Sequence, residues 1–190
     1  GDAVQLDQLM ALGNGTVGST VGYTAPAMGP VTLSFTRKSG DAALGSGAGG
    51  SNGSINIYAV KFADGPIAAG YSLLSWNDST NANKSRNVIT ASYDAGIAKV
   101  GIFNAVHTLT GSTTKQTDTA LQVSAPVGPL AVSYESGSTK TTGSTALDGT
   151  SLSVSYALSK RTAVTMKTEK WETSTTAKSK ASSLLLSHSF

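Results

Sequence analysis

From Thr16 to the end of the chain, segments of roughly ten residues alternate apolar side chains with small or polar ones. Each segment stops at a turn signal. Period-two alternation puts successive side chains on opposite faces, which is the signature of a strand and not of a helix. The spacing predicts eleven strands, over 16–26, 31–39, 54–63, 67–76, 86–94, 97–109, 116–126, 130–136, 150–159, 162–171 and 180–190. The connections between them are of two kinds, and the kinds alternate. Short turns occur at Ala27-Met28-Gly29-Pro30, Asp64-Gly65-Pro66, Ala95-Gly96, Val127-Gly128-Pro129 and Lys160-Arg161. Longer tracts rich in Ser, Thr, Asn and Gly cover Gly40–Gly53, Asn77–Ser85, Thr110–Lys115, Ser136–Gly149 and Glu172–Lys178, and these read as solvated loops. An antiparallel all-β meander with unlike ends follows. Tight turns at one end, long loops at the other and strands of this length are the pattern of a transmembrane β-barrel. A soluble sandwich can share it.

Composition narrows the choice. Only 13% of the 190 residues are charged, about half the usual quarter. Such a surface suits a medium other than water. Disordered chains are also rich in Gly and Ser, but they lack regularly placed Tyr, Val, Leu and Ile. No apolar run approaches the ~20 residues of a transmembrane helix, so a membrane can be crossed here only by strands. There is no cysteine, hence no disulfide framework or thiolate metal site. The net charge of +3 is small and scattered, which argues against nucleic acid as a partner. The opening Gly1-Asp2-Ala3-Val4 has neither the basic nor the apolar region of a secretory signal, which predicts a mature chain or one that starts inside a longer protein.

Charge assigns the two faces. A Lys or Arg exposed to lipid at the bilayer midplane costs about 2–4 kcal/mol, so mid-strand charges belong on the inner face. Lys61 then points inward with Ile57 and Ala59, while Tyr58, Val60 and Phe62 point outward. The same test places Lys99 inward against Val100 and Ile102, and Lys167, Thr165 and Glu169 inward against Val164 and Met166. In 150–159 the outward set is Leu152, Val154, Tyr156 and Leu158, and the inward set is Ser151, Ser153 and Ser155. An inner face that small and polar suits a water-filled lumen better than a dry core. Tyr23, Phe62, Tyr93 and Phe190 lie towards the short-turn end, where an interfacial aromatic girdle would sit.

Several segments carry a family resemblance. The ending Leu184-Leu185-Leu186-Ser187-His188-Ser189-Phe190 resembles the C-terminal signature strand of Gram-negative outer-membrane porins. Tyr156-Ala157-Leu158-Ser159-Lys160-Arg161-Thr162 is similar to the penultimate hairpin of general porins of the β-proteobacterial type. Tyr93-Asp94-Ala95-Gly96-Ile97-Ala98-Lys99 and Val21-Gly22-Tyr23-Thr24-Ala25-Pro26 resemble strand-and-turn segments of the same family. The resemblance implies a 16-stranded barrel, a homotrimer in the bacterial outer membrane, a loop folded into the pore, and a terminal Phe190 read by the barrel assembly machinery. Counted back from Phe190, the eleven strands would be the sixth to the sixteenth, with 16–190 forming barrel wall. Residues 1–15 would be the end of the inward loop, and the preceding strands an N-terminal remainder of the same barrel. An alternative is that Val4–Leu12 forms a twelfth strand closing a smaller barrel. Two positions depart from the family: Gly22 stands where an inward Arg is frequent, and Ser187 where an Arg precedes the final His.

A diffusion channel needs a polar lumen, a constriction and opposed charges. The candidate acids are Asp2 and Asp7, which rest on the resemblance; the candidate bases are Lys38, Lys61, Arg86, Lys99 and Lys167. A solvated surface charge is the alternative for each, above all for Lys38 and Arg86, which border loops; Lys61 and Lys99, flanked by apolar neighbours within strands, fit the lumen better. Enzymatic readings fail on inventory. His107 and His188, the only histidines, fall in different strands without metal-ligand spacing, so neither a metal nor a cofactor is expected. Gly45-Ser46-Gly47-Ala48-Gly49-Gly50 lacks the Lys and the helix of a phosphate-binding loop. The competing expectations are a surface adhesin, with the Ser/Thr loops as its contact surface, and a structural barrel with a filled lumen.

Overall fold

The computed structural model describes residues 20–39, 54–77 and 83–189. Eleven strands occur there: β1 (Thr20–Thr24), β2 (Val31–Ser39), β3 (Ser54–Asp64), β4 (Ile67–Trp76), β5 (Asn83–Asp94), β6 (Lys99–Leu109), β7 (Lys115–Val127), β8 (Leu130–Thr141), β9 (Leu147–Ala157), β10 (Thr162–Glu172) and β11 (Lys178–His188). They form a single antiparallel sheet in which each strand pairs with its neighbours in sequence, and β1 and β11 are its two edges. No helix among the described residues is long and apolar enough to cross a membrane. That has no bearing on crossing by strands.

The tight turns follow from local chemistry. Asp64 pairs with Ile67 across Gly65-Pro66, and Val127 pairs with Leu130 across Gly128-Pro129. Gly65 and Gly128 have φ of 53° and 60°, so glycine stands first in each two-residue turn, as type II′ hairpins require. The following proline supplies a fixed negative φ at a position outside the ladder. Between β5 and β6 the Asp94 carboxylate instead accepts a bond from the Gly96 amide at 2.8 Å, which closes the bend locally.

The predicted loops are longer than the real ones. Ser136–Gly149, expected as one polar loop, is mostly strand: β8 runs on to Thr141 and β9 begins at Leu147. Thr, being β-branched, favours a strand, and Ser is tolerated beside it where pairing on both sides supplies the ladder, so a composition that resembles a loop also suits a polar hairpin. Likewise only 110–114 and 173–177 connect β6 to β7 and β10 to β11, and β5 starts at Asn83 with a register shift before Ser85. The contrast between the two ends is therefore weaker over β6–β11 than the sequence suggests. The expected loop Gly40–Gly53, most of Asn77–Ser85, the possible strand Val4–Leu12 and the expected start of β1 lie outside the described residues.

Register reveals the tilt of the strands. One cross-strand row runs Ser183–Lys167–Ser153–Ser133–Ser124–Lys99–Asp94. It begins at the middle of β11 and leaves the sheet at the last residue of β5. The stagger is thus about one residue per strand. With a rise of ~3.3 Å and a strand spacing of ~4.8 Å, this corresponds to a tilt of about 35°. An eleven-residue strand such as β6 then spans ~30 Å along the sheet axis, enough to cross a hydrocarbon layer.

Candidate functional site

Cross-strand partners share a face, so register sorts every side chain. One face carries Phe35, Tyr58, Tyr71, Ile89, Ile102, Leu121, Tyr134, Leu152, Val154, Met166 and Leu184. Its apolar side chains are laid bare: Ile89 is 50% exposed, Ile102 51% and Leu184 76%. On the other face Ile57, Ala59, Val88, Ala105 and Gln122 are all buried. Side chains on the concave side of a curled sheet converge and shield one another, whereas those on the convex side splay apart. The crowded face is therefore the inner wall. The bare apolar face is the outer one, and in water it would be an unsustainable exposed patch. Towards the short-turn end it carries Tyr23, Phe62, Tyr93 and Tyr156, as an interfacial girdle would.

The inner wall divides into two zones. Over β6–β11 it is polar, with Ser124, Ser133, Ser153, Ser155, Thr165 and Lys167 in adjoining rows and a hydrogen bond from Thr165 to Ser155 of 3.0 Å. Over β3 and β4 it is apolar instead of small and polar as in 150–159: the inward Ile57 expected from alternation is joined by Ile55, Leu74 and Trp76 in a buried cluster near the loop end. Each such side chain removed from water contributes about 1.5–3 kcal/mol, so this stretch of wall favours cover over wetting.

All five basic candidates lie on the inner face. Lys38 pairs with Ile55, Lys61 with Gly70, Arg86 with His107, Lys99 with Ser124, and Lys167 with Ser153. They do not form one cluster. Lys99 and Lys167 share a row but are four strand spacings apart, roughly 19 Å. Lys99 borders a shallow hollow of about 360 Å³ with Asp94, Ser124, Ser133, Ser153 and Thr165. Lys167 lies 2.6 Å from Glu169. Asp2, Asp7 and Phe190 lie outside the described residues. Gly22 is on the inner face, where a Cβ would stand 3.4 Å from the Thr36 hydroxyl, so the departure noted at this position thins the wall of one inward side chain.

Only Arg86 enters a dense polar knot, one that spans four strands. Asp118 of β7 lies 4.0 Å from Arg86 of β5 and 3.9 Å from His107 of β6. Its Oδ1 also accepts hydrogen bonds of 3.0 Å from Gln116 Nε2 and from Thr139 Oγ1 of β8. The buried Arg86 Nε and Gln122 Oε1 have no hydrogen-bond partner among the described residues. Sequence reading overlooked Asp118, His107 and Gln122 as a group. Alternation counted from Leu121 already turns Asp118 inward; the pairing that brings His107 and Arg86 beside it was not visible. No group of three or more His, Cys, Asp or Glu suited to hold a metal occurs among the described residues.

The model of the Gram-negative porin family matches residues 2–175. The chain belongs to that family. Its place is accordingly the bacterial outer membrane, which is the apolar medium that the bare outer face of this porin meets. Solved structures agree on the fold. A porin refined at 1.8 Å resolution is 14% identical with a TM-score of 0.70, covering 90% of this chain and 61% of its own. An anion-selective porin from Comamonas acidovorans is 19% identical with a TM-score of 0.68, covering 94% of this chain and 60% of its own. A loop-L8 deletion mutant of OmpT, an outer-membrane protein of Vibrio cholerae, is 15% identical with a TM-score of 0.62, covering 98% of this chain and 73% of its own. The chain thus spans about three fifths of the length of the first two structures. A comparison with curated protein sequences returned no match.

Proposed function

We propose that this porin forms a water-filled channel for passive diffusion of small hydrophilic solutes and ions, and that it is not an enzyme. The observation that carries the reading is the segregation of faces along one register: apolar and bare outside, serine- and charge-lined inside over β6–β11. A sheet with two unpaired edges cannot sit in hydrocarbon, because each unsatisfied backbone group there costs several kcal/mol. Further strands pairing with β1 and β11 would close the wall, and the length of the matching structures accommodates them. In this reading Lys38, Lys61, Arg86, Lys99 and Lys167 line the lumen. Asp2 and Asp7, within 1–15, supply the facing acids of an inward loop. Phe190 serves as the assembly signal, and three copies associate. A structural barrel with a filled lumen is the second reading, favoured by the apolar inner cluster of Ile55, Ile57, Leu74 and Trp76.

Conductance of the whole detergent-extracted protein in a planar bilayer under a KCl gradient tests this. Large steps arriving in threes support an open, trimeric channel, and the reversal potential reads its ion preference. Folded, inserted protein that gives no steps overturns the open channel in favour of the filled barrel.

A further inference from the structure

Two rows of the inner wall, on the loop side of the serine rows, differ from them in kind. The first runs Gln122–Glu135–Ser151–Glu169, and the second Ala120–Gly137–Gly149–Trp171. Gly137 and Gly149 are direct cross-strand partners, so the wall carries no side chain across two adjacent strands. Glycine inside a strand gives up packing and marks a place where something approaches the backbone closely. The result is a shallow hollow of about 420 Å³, floored by the two glycines and lined by Trp171, Glu135, Ser151 and Glu169.

The charges of this hollow do not balance. Lys167, one row below, closes on Glu169 at 2.6 Å. Glu135 makes no ion pair or hydrogen bond among the described residues, so two carboxylates share one ammonium and one negative charge is left over. Beside it stands a second unmet group. The direct partner of Glu135 is Gln122, which is 5% exposed and whose buried Oε1 accepts no hydrogen bond. A buried acceptor without a donor is costly, and direct partners have Cβ atoms only about 4.5–5.5 Å apart. One donor group can therefore reach both. A primary ammonium suits the position, with one positive charge, three N–H donors and no acceptor. A bare metal cation would leave the indole and the glycine floor without a role.

We propose that this hollow is a lumenal subsite for a primary ammonium solute with a flat apolar body. The ammonium donates to Glu135, Gln122 and Ser151, and the body lies along the glycine floor against the Trp171 indole. Trp171 and Glu135 are two strand spacings apart, ~10 Å, which a phenylethylammonium spans with its contacts. The inference rests on the open-channel reading above and names a solute class that its wall would hold in transit.

The test titrates the whole folded protein in detergent with 2-phenylethylammonium, read by the fluorescence of Trp171 in a Trp76→Phe background. The neutral 2-phenylethanol is the comparison, and it binds at least about tenfold more weakly. Glu135→Gln weakens ammonium binding at least about tenfold, while Glu172→Gln, on the outer wall, leaves it unchanged. Gly149→Val fills the floor, where a Cβ already stands 3.5 Å from that of Trp171, and also weakens binding. Heat-modifiable mobility on gels confirms that each variant is folded. Unchanged binding by Glu135→Gln overturns the proposal, and so does equal binding of the alcohol, which reduces the contact to apolar partition. Conductance is read separately: steps without ammonium binding sink the subsite and leave the channel standing, whereas binding without steps keeps the subsite and overturns the channel.

Discussion

At the scale of single residues, Asp118 is the best-connected polar group of the inner wall. It accepts from Gln116 and Thr139 and faces Arg86 and His107. Asp118→Ala strands these partners in a half-buried site, and a lost hydrogen bond of that kind costs about 1–3 kcal/mol. The expected outcome is a lower urea midpoint, together with a reversal potential moved towards anions because Arg86 loses its counter-charge. Thr139→Val removes one neutral donor and costs less, about 0.5–1.5 kcal/mol. An equal loss from both variants would mean that the charge on Asp118 contributes nothing. At the turns, Gly65 has open space where a Cβ would go, so Gly65→Ala meets only the left-handed backbone penalty of about 1–2 kcal/mol. Thermal unfolding of that variant separates backbone strain from packing.

The element scale turns on the β8–β9 hairpin. Residues 136–149 have the composition of a loop but pair as strand, with Gly137 opposite Gly149 and Thr139 opposite Leu147. Hydrogen exchange distinguishes the two: amides of 137–141 and 147–149 are expected to be protected, as is that of Thr142, which donates to the Lys115 carbonyl at 2.9 Å, and those of Gly143, Thr145 and Ala146 to exchange freely. Ser138→Pro gives the same test by mutation. Ser138 is flanked on both sides, by Thr119 and Asp148, so a missing ladder donor costs about 3 kcal/mol or more, whereas a loop would absorb proline at little cost. The strand count and most strand centres were legible because period-two alternation depends on sequence alone. Strand ends were not, because nothing local tells a solvated Ser/Thr strand from a solvated Ser/Thr loop; pairing decides between them.

The whole molecule is defined by which wall meets lipid. Val132 and Ser133 are consecutive on β8 and point to opposite walls. Val132→Lys places an ammonium inside the apolar band, where the cost rises from about 1 kcal/mol near the interface to about 2–4 kcal/mol at the midplane, while Ser133→Lys enters the polar lumen nearly without cost. Refolding into lipid vesicles with a denaturant titration measures both. Similar costs for the two would remove the distinction between the walls, and with it the channel.

The sequence by itself determined the antiparallel meander, the glycine-proline turns and the inward direction of Lys61, Lys99 and Lys167, because alternation and turn chemistry act over a few residues; the inward direction of Lys38 and Arg86, at loop borders, came from the pairing. Only the tertiary structure decided what lies beside what. Stagger between strands brought Arg86, His107 and Asp118 together from three strands, and it kept Lys99 and Lys167 apart. It gathered Ile55, Ile57, Leu74 and Trp76 into an apolar stretch of the inner wall, and it set Lys170 directly opposite Lys180 on the outer one. Register is a property of pairs of strands, fixed by turns and by both faces at once, so no single strand's sequence contains it.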